Sequence, residues 1–201
     1  MLKRLFDICL SGVGILGSLP LWVAFSLAIL FDDGRPVFYR QKRVGKNGRI
    51  FEALKFRSMI KDAEKESGPV QAIENDPRIT EIGKALRASA MDELPQLWNI
   101  FKGDMSFVGP RALRPKEKEV HGSHDDIDIE KVPGYYERLK VKPGLTGMAQ
   151  VYLPTDALRS EKFKYDLMYI QKQSIFLDLK LILLSFWITF RGKWESRGRK
   201  W

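Results

Sequence analysis

Residues 87–111 read RASAMDELPQLWNIFKGDMSFVGPR. Two adjacent carboxylates, Asp92 and Glu93, stand before a proline and an apolar stripe, with Arg87 and Arg111 at the ends of the run. Leu94, Leu97, Trp98 and Phe101 recur at helical spacing and predict one apolar helix face. Asp92 is suited to the N-cap, because its carboxylate can accept from the unpaired N–H groups of the first turn. Pro95 falls in that turn, where its missing N–H costs little, and Gly103 suits a left-handed stop. Capping alone would explain the acids, since the helix dipole favours negative charge there. The same helix start also attracts phosphate, which makes the pair a candidate site.

Working outward, PVFYRQKRVG and GRIFEALKFRSM predict two β-strands joined at Lys46-Asn47-Gly48, because Asn-Gly favours a hairpin turn. Arg40, Lys42, Arg43, Lys55 and Arg57 on these strands either line a phosphate site or face water. Residues 61–78 contain Gly68, Pro69 and Asn75-Asp76-Pro77 and read as a mobile loop. Residues 78–90 read as a helix that carries Arg87 toward the acidic pair. His121 to Glu130, HGSHDDIDIE, reads as an exposed acidic loop, with a metal cluster as the alternative. Lys142-Pro143-Gly144-Leu145-Thr146-Gly147 reads as a tight turn able to approach a ligand closely.

Both ends of the chain are apolar. Ile8 to Phe31 carries no charge over 24 residues, and as helix would reach about 36 Å, enough to cross a hydrocarbon layer. Gly17, Ser18 and Pro20 sit near its middle, where a kink is expected. Lys3 and Arg4 precede it, and Arg35, Arg40, Lys42, Arg43, Lys46 and Arg49 follow it. Positive charge marks the cytoplasmic side, and here it marks both flanks. A segment that enters and leaves by one face satisfies both observations; a straight span and a cleaved signal peptide are the alternatives. Asp7 needs a partner such as Lys3 or Arg4. Ser174 to Phe190 forms a second apolar run with only Asp178 and Lys180 charged, either a core helix or one lying in the membrane interface. The tail 191–201 interleaves Trp194 and Trp201 with basic residues, which suits an anionic headgroup layer.

The chain has 201 residues, a formal net charge of +9 and 44% hydrophobic residues. That balance excludes disorder and points to an anionic partner. The single cysteine, Cys9, excludes an intramolecular disulfide framework. Nucleic acid would account for the charge, but the basic residues cluster beside the apolar segments, which favours a membrane. The fold class expected is α+β, predominantly helical: a small cytoplasmic globular domain with an N-terminal re-entrant membrane helix and interfacial amphipathic helices. The expected division is a membrane helix over 1–31 broken near Ser18 and Pro20, a catalytic domain over 32–190, and the tail 191–201.

The runs NDPRITEIGKALR, DELPQLWNIFKGDMSFVGPR, KPGLTGMAQV, FKYDLMYI and LDLKLIL together resemble the small monotopic phosphoglycosyl transferases of the bacterial sugar transferase family. The resemblance extends from Lys3-Arg4-Leu5-Phe6-Asp7 to about Leu184. It implies a protein of the bacterial inner membrane, on the cytoplasmic face, that moves a sugar phosphate from a UDP-sugar to a polyprenyl phosphate and releases UMP. It makes Asp92 the covalent nucleophile and Glu93 its partner, with Mg²⁺ near Asp92. Arg87 and Arg111 would meet phosphate oxygens, and Lys55, Arg57, Gln96 and Gln150 complete the candidate substrate-binding set. UDP-sugar, polyprenyl phosphate and a phospholipid membrane are the implied partners, with no nucleic acid; a homodimer is an open alternative to a lone chain. The chain departs from the family pattern at Ser18-Leu19-Pro20, Ala90, Pro110-Arg111-Ala112, Lys142 and Tyr152-Leu153-Pro154.

Overall fold

A computed structural model of the chain describes residues 1–63, 76–119, 127–192 and 194. Helix α1 (Leu2–Asp33) leads into an antiparallel hairpin, β1 (Phe38–Val44) and β2 (Ile50–Phe56). Helices α2 (Glu81–Ala88) and α3 (Gln96–Lys102) follow. Strand β3 (Ser106–Val108) pairs in parallel with β6 (Gly144–Thr146), and β4 (Lys118–Glu119) pairs with β5 (Ile127–Asp128). The remaining helices are α4 (Tyr135–Arg138), α5 (Met148–Tyr152), α6 (Arg159–Lys172) and α7 (Ile175–Phe190). The result is a predominantly helical α+β domain.

The hairpin forms where the sequence places it. Asn47 takes a left-handed conformation (φ 55°) in the turn over Lys46–Gly48, a region that Asn tolerates well. Pairing Arg43 with Phe51 and Gln41 with Ala53 fixes the register. Phe51 and Ala53 share one face of β2 by strand alternation and pack with Leu97, Ile100 and Met105. Asn99 locks the two together: its side chain accepts from Leu54 N (2.9 Å) and donates to the carbonyl of Glu52 (2.7 Å).

Helix α1 buries mostly polar residues against the domain and exposes apolar ones. Its buried residues are Asp7, Ser11, Ser18 and Ile29. Leu2, Leu5, Val13, Leu16, Val23, Leu27 and Phe31 are exposed, at spacings that repeat along one outer stripe. A helix of a water-soluble domain has the reverse arrangement. By length and composition α1 is the one helix among the described residues able to cross a membrane. It touches the domain at both ends. Near its start, Lys3 pairs with Asp178 (2.5 Å), and Arg4 donates to the carbonyls of Ile100 (2.6 Å) and Phe101 (2.7 Å). Midway, Gly12 and Gly14 bring it onto Phe101 and Leu97, as small residues do at close helix crossings. Near its end, Trp22, Phe25 and Ile29 pack with Phe56 and Leu86.

Several expectations need correction. Helix α1 is continuous from Leu2 to Asp33, with Ser18 and Pro20 inside it. Ser18 donates to the carbonyl of Gly14 (2.6 Å) and accepts from Trp22 Nε1 (3.0 Å), which ties the turn before the proline together. Asp7 is partnered by neither Lys3 nor Arg4. Its Oδ1 accepts from Ser106 Oγ (3.0 Å) and the Phe107 N–H (3.1 Å), on the strand that follows α3. The stripe of α3 divides: Leu97 and Ile100 are buried, whereas Trp98 and Phe101 stack outward with ring centroids 5.8 Å apart. Helix α7 is buried on one side and exposed on the other. Asp178, Leu181, Ile182 and Ile188 are buried, and Phe176, Leu183, Phe186 and Phe190 are exposed.

The tight turn over 142–147 approaches the protein's own backbone. A Cβ on Gly144 would lie 2.1 Å from Gly109 N, because β3 and β6 meet there. Of the acidic stretch, residues 121–126 with both histidines lie outside the described residues, but Ile129 is buried in the core rather than exposed. Of the mobile loop expected over 61–78, residues 64–75 also lie outside the described residues. In the tail, Trp194 packs onto the cluster of Tyr169 and Leu181, and Lys193 and 195–201 lie outside.

Candidate active site

The acidic pair is carried by a 3₁₀ turn, Met91–Glu93, and not by the cap of α3. Helix α2 is capped by Thr80, whose side chain accepts from Gly83 N. It ends at Ser89, and Ala90 takes a left-handed conformation (φ 54°) that turns the chain back. Pro95 then holds the N-cap position of α3 without a side-chain bond. Asp92 therefore does not cap this helix. With seven residues α3 is short, and its stop at Gly103 (φ 104°) is as the sequence predicts.

Asp92 and Glu93 are both 8% exposed. Lys55 projects from β2 between them, its Nζ 2.6 Å from Glu93 Oε1 and 3.5 Å from Asp92 Oδ2. Arg111 approaches from the segment after β3, with Nη2 3.4 Å from Glu93 Oε1. Burial pushes the Glu93 carboxyl up, but Lys55 and Arg111 outweigh it and hold its pKa at about 2. Glu93 is therefore an anion throughout the physiological range, clamped between two cations. A small cleft opens beside it, lined by Arg43, Lys55, Glu93, Gln96, Arg111 and Gly144 among others.

The sequence names part of this constellation. Lys55 and Arg111 lie against the dyad, and Gln96 lines the same cleft. Arg57 does not: it donates to the carbonyls of Asp33 and Gly34 (both 2.8 Å) and pairs with Asp33 (3.1 Å). It closes the C-terminal end of α1, where free carbonyls attract a cation. Gln150 lies in α5 against Gly147 and is not among the residues lining the cleft. Arg87 occupies the last turn of α2, five residues before Asp92. Arg43 is the residue left unassigned by sequence reading. It shares its strand face with Gln41, donates to the carbonyl of Ala112 (2.9 Å), and lines the cleft. Desolvation and the neighbouring Arg111 lower its pKa to about 10. Strand alternation separates it from Arg40 and Lys42, which are exposed on the other face, once the register is known.

The Glu93 clamp has a pH signature. Its folded pKa lies below the ordinary value of 4.5, so the clamp stabilises the fold fully above about pH 4.5 and fades as pH falls toward 2. Glu93→Gln is expected to cost about 3 kcal/mol at pH 7. Thermal unfolding of both proteins checks this: their separation at pH 7 should shrink below pH 4.5. A constant separation down to pH 2.5 would contradict the clamp.

This arrangement of a paired carboxylate with lysine and arginines around one cleft is suited to an anionic, phosphate-bearing ligand. The family described as bacterial sugar transferase matches residues 1–192 of the chain, which therefore belongs to that family. Among its relatives, the UDP-glucose:undecaprenyl-phosphate glucose-1-phosphate transferase of Klebsiella pneumoniae is 39% identical over 196 residues, covering 95% of this chain and 40% of that protein. Its counterpart in Escherichia coli strain K12 is 37% identical over 198 residues, covering 96% of this chain and 41% of that protein. The exopolysaccharide production protein ExoY of Rhizobium meliloti is 36% identical over 196 residues, covering 90% of this chain and 82% of that protein. The chain thus spans about two-fifths of the two named glucose-1-phosphate transferases and most of ExoY.

Proposed function

We propose that this chain transfers a sugar 1-phosphate from a UDP-sugar to undecaprenyl phosphate, releasing UMP, as a membrane step of glycoconjugate synthesis. The observation that carries the reading is Glu93, held by Lys55 and Arg111 on the wall of one cleft, with Asp92 beside it, 3.5 Å from the same Lys55. Family membership and the names of the relatives support the substrate classes.

The reaction proceeds in two displacements. An Asp92 carboxylate oxygen attacks the sugar-bearing phosphorus of the UDP-sugar, and the bond from that phosphorus to the bridging oxygen breaks as UMP leaves. A phosphate oxygen of undecaprenyl phosphate then attacks the same phosphorus, breaks its bond to Asp92, and leaves as the lipid diphosphosugar. A carboxylate is ionised at neutral pH and needs no base for this attack. Its obstacle is the negative charge of the diphosphate, which Lys55, Arg111 and Arg43 offset. Glu93 orients Lys55 and Arg111 and stays charged through both steps. The donor set fits magnesium: hard oxygens from one or two carboxylates together with substrate phosphates are its usual company. Asp92 would hold the ion, which supplies further neutralisation of phosphate charge.

The site works at the inner-membrane surface, on the cytoplasmic face, with α1 entering and leaving the bilayer by one side. Two observations support this. The outward stripe of α1 is apolar along its length, and the exposed stripe of α7 adds Phe176, Leu183, Phe186 and Phe190. The domain also grips α1 at Lys3, Arg4 and Asp7 and again at Trp22, Phe25 and Ile29, so contacts near both ends of the helix are made with the same domain. Phospholipid binding follows directly. The Leu16→Asp/Val23→Asp variant, with two charges on the outer stripe, is expected to lose most of its flotation with vesicles of anionic phospholipid. Flotation equal to the parent's would contradict the seating.

A panel of UDP-sugars, incubated with undecaprenyl phosphate and Mg²⁺ and assayed for UMP, tests the function. Release of UMP from one or a few of them is expected. No release from any by folded protein in lipid would overturn the assignment.

A further inference from the structure

Beyond the cleft, a buried ion pair holds the backbone from which Arg111 reaches it. Arg138 in α4 and Asp166 in α6 are each 3% exposed at the side chain. Arg138 Nε donates to Asp166 Oδ2 (2.9 Å), its guanidinium lies 4.6 Å from the centroid of Phe163, and its Nη2 donates to the carbonyl oxygen of Arg111 (2.6 Å). Asp166 belongs to the FKYDLMYI run, which no step of the reaction uses. Burial works against both charges, lowering the pKa of Arg138 and raising that of Asp166, and each partner opposes the effect on the other.

Stability alone gives a weak reason for such a pair, because apolar residues of similar volume often serve as well or better. Geometry gives a stronger one. The guanidinium is planar, and its donors point in fixed directions. With one edge on Asp166 and another donor on the Arg111 carbonyl, it sets that carbonyl relative to α6. The surrounding backbone is held residue by residue. The carbonyl of Pro110 accepts from Gly144 N (3.0 Å), that of Ala112 from Arg43 Nη1 (2.9 Å), and that of Leu113 from Val44 N (2.8 Å). Arg111 is the residue of these four whose side chain faces Glu93, and it alone of the four is held through a buried ion pair.

We propose that Arg138 and Asp166 are a positioning pair for Arg111, fixing its main chain so that its guanidinium meets Glu93 and the phosphate of the bound donor. The inference rests on reading the cleft as the site of phosphosugar transfer. The pair touches no reacting atom and acts only through Arg111.

The test is a double-mutant cycle on the full chain in lipid, with UMP release measured against UDP-sugar concentration and thermal unfolding recorded alongside. Arg138→Lys and Asp166→Asn are each expected to lower kcat/KM about tenfold, in line with small displacements of a group that positions substrate. In an Arg111→Gln background they should lower it less than twofold further, because residues acting through one group are not additive. A full tenfold loss in that background, or parental kinetics in either folded single variant, would overturn the proposal. Should both single variants fail to fold, Arg138→Met/Asp166→Leu keeps the volume apolar, and it is expected to fold with the same tenfold loss. Parental turnover by that variant, or failure of all three to fold, would assign the pair to the fold alone and overturn the positioning role. Full turnover by Asp92→Asn in the same assay would instead overturn the reading of the cleft.

Discussion

Asp92→Asn is expected to lower UMP release by about a thousandfold or more while leaving the protein folded. The exchange is nearly isosteric, and the side-chain amide can still occupy the 3₁₀ turn beside Lys55. It cannot supply the anionic oxygen that attacks phosphorus. Asparagine keeps the shape and hydrogen-bonding capacity of the side chain, so a merely structural residue would tolerate the change, whereas a nucleophile would not. Glu93→Gln should be milder, about a hundredfold, since Glu93 is proposed to orient Lys55 and Arg111 without bonding to the phosphorus. Initial rates of UMP release at saturating donor check both. Near-parental rates for Asp92→Asn would remove Asp92 from the chemistry.

The second large effect is on the fold. Gly144→Ala is expected to cost about 3 kcal/mol or more, a fall in Tm on the order of 10 °C for a chain of this size. The new Cβ would stand 2.1 Å from Gly109 N and 2.2 Å from the Thr146 carbonyl oxygen. Both are backbone atoms, and neither can swing aside as a side chain can. The pairing of β3 with β6 would have to open, and Gly144 N would lose the Pro110 carbonyl beside Arg111. Activity should therefore fall together with stability. Thermal unfolding in lipid measures it, and an unchanged Tm would contradict the close approach.

What could be read in the sequence is what local chemistry decides. Asn47-Gly48 fixes the hairpin turn, Gly103 ends α3, and the uncharged run after Asp7 becomes a long helix with an apolar outer face. The dyad was legible as a candidate because carboxylates, arginines and family motifs lie close in sequence. What was not legible depends on contacts between distant segments. Asp7 meets Ser106 across 99 positions, and nothing near Asp7 in sequence favours that partner over Lys3 or Arg4. Arg57 and Lys55 are two residues apart, yet Lys55 faces the dyad and Arg57 closes the end of α1. Arg43 is one of six arginines and lysines between positions 35 and 49, and only the strand register selects it. Ala90 is the least legible: a left-handed alanine has no local signature, and that turn moved Asp92 off the cap of α3 and into the 3₁₀ turn.

The central claim is a covalent phosphosugar on Asp92, and isotope exchange tests it most directly. The chain is incubated with its UDP-sugar, Mg²⁺ and labelled UMP, with no undecaprenyl phosphate present. If the first displacement stands alone, label enters the UDP-sugar, and Asp92→Asn shows none. Absence of exchange until undecaprenyl phosphate is added, with turnover otherwise normal, would mean direct transfer between donor and acceptor and would contradict the account.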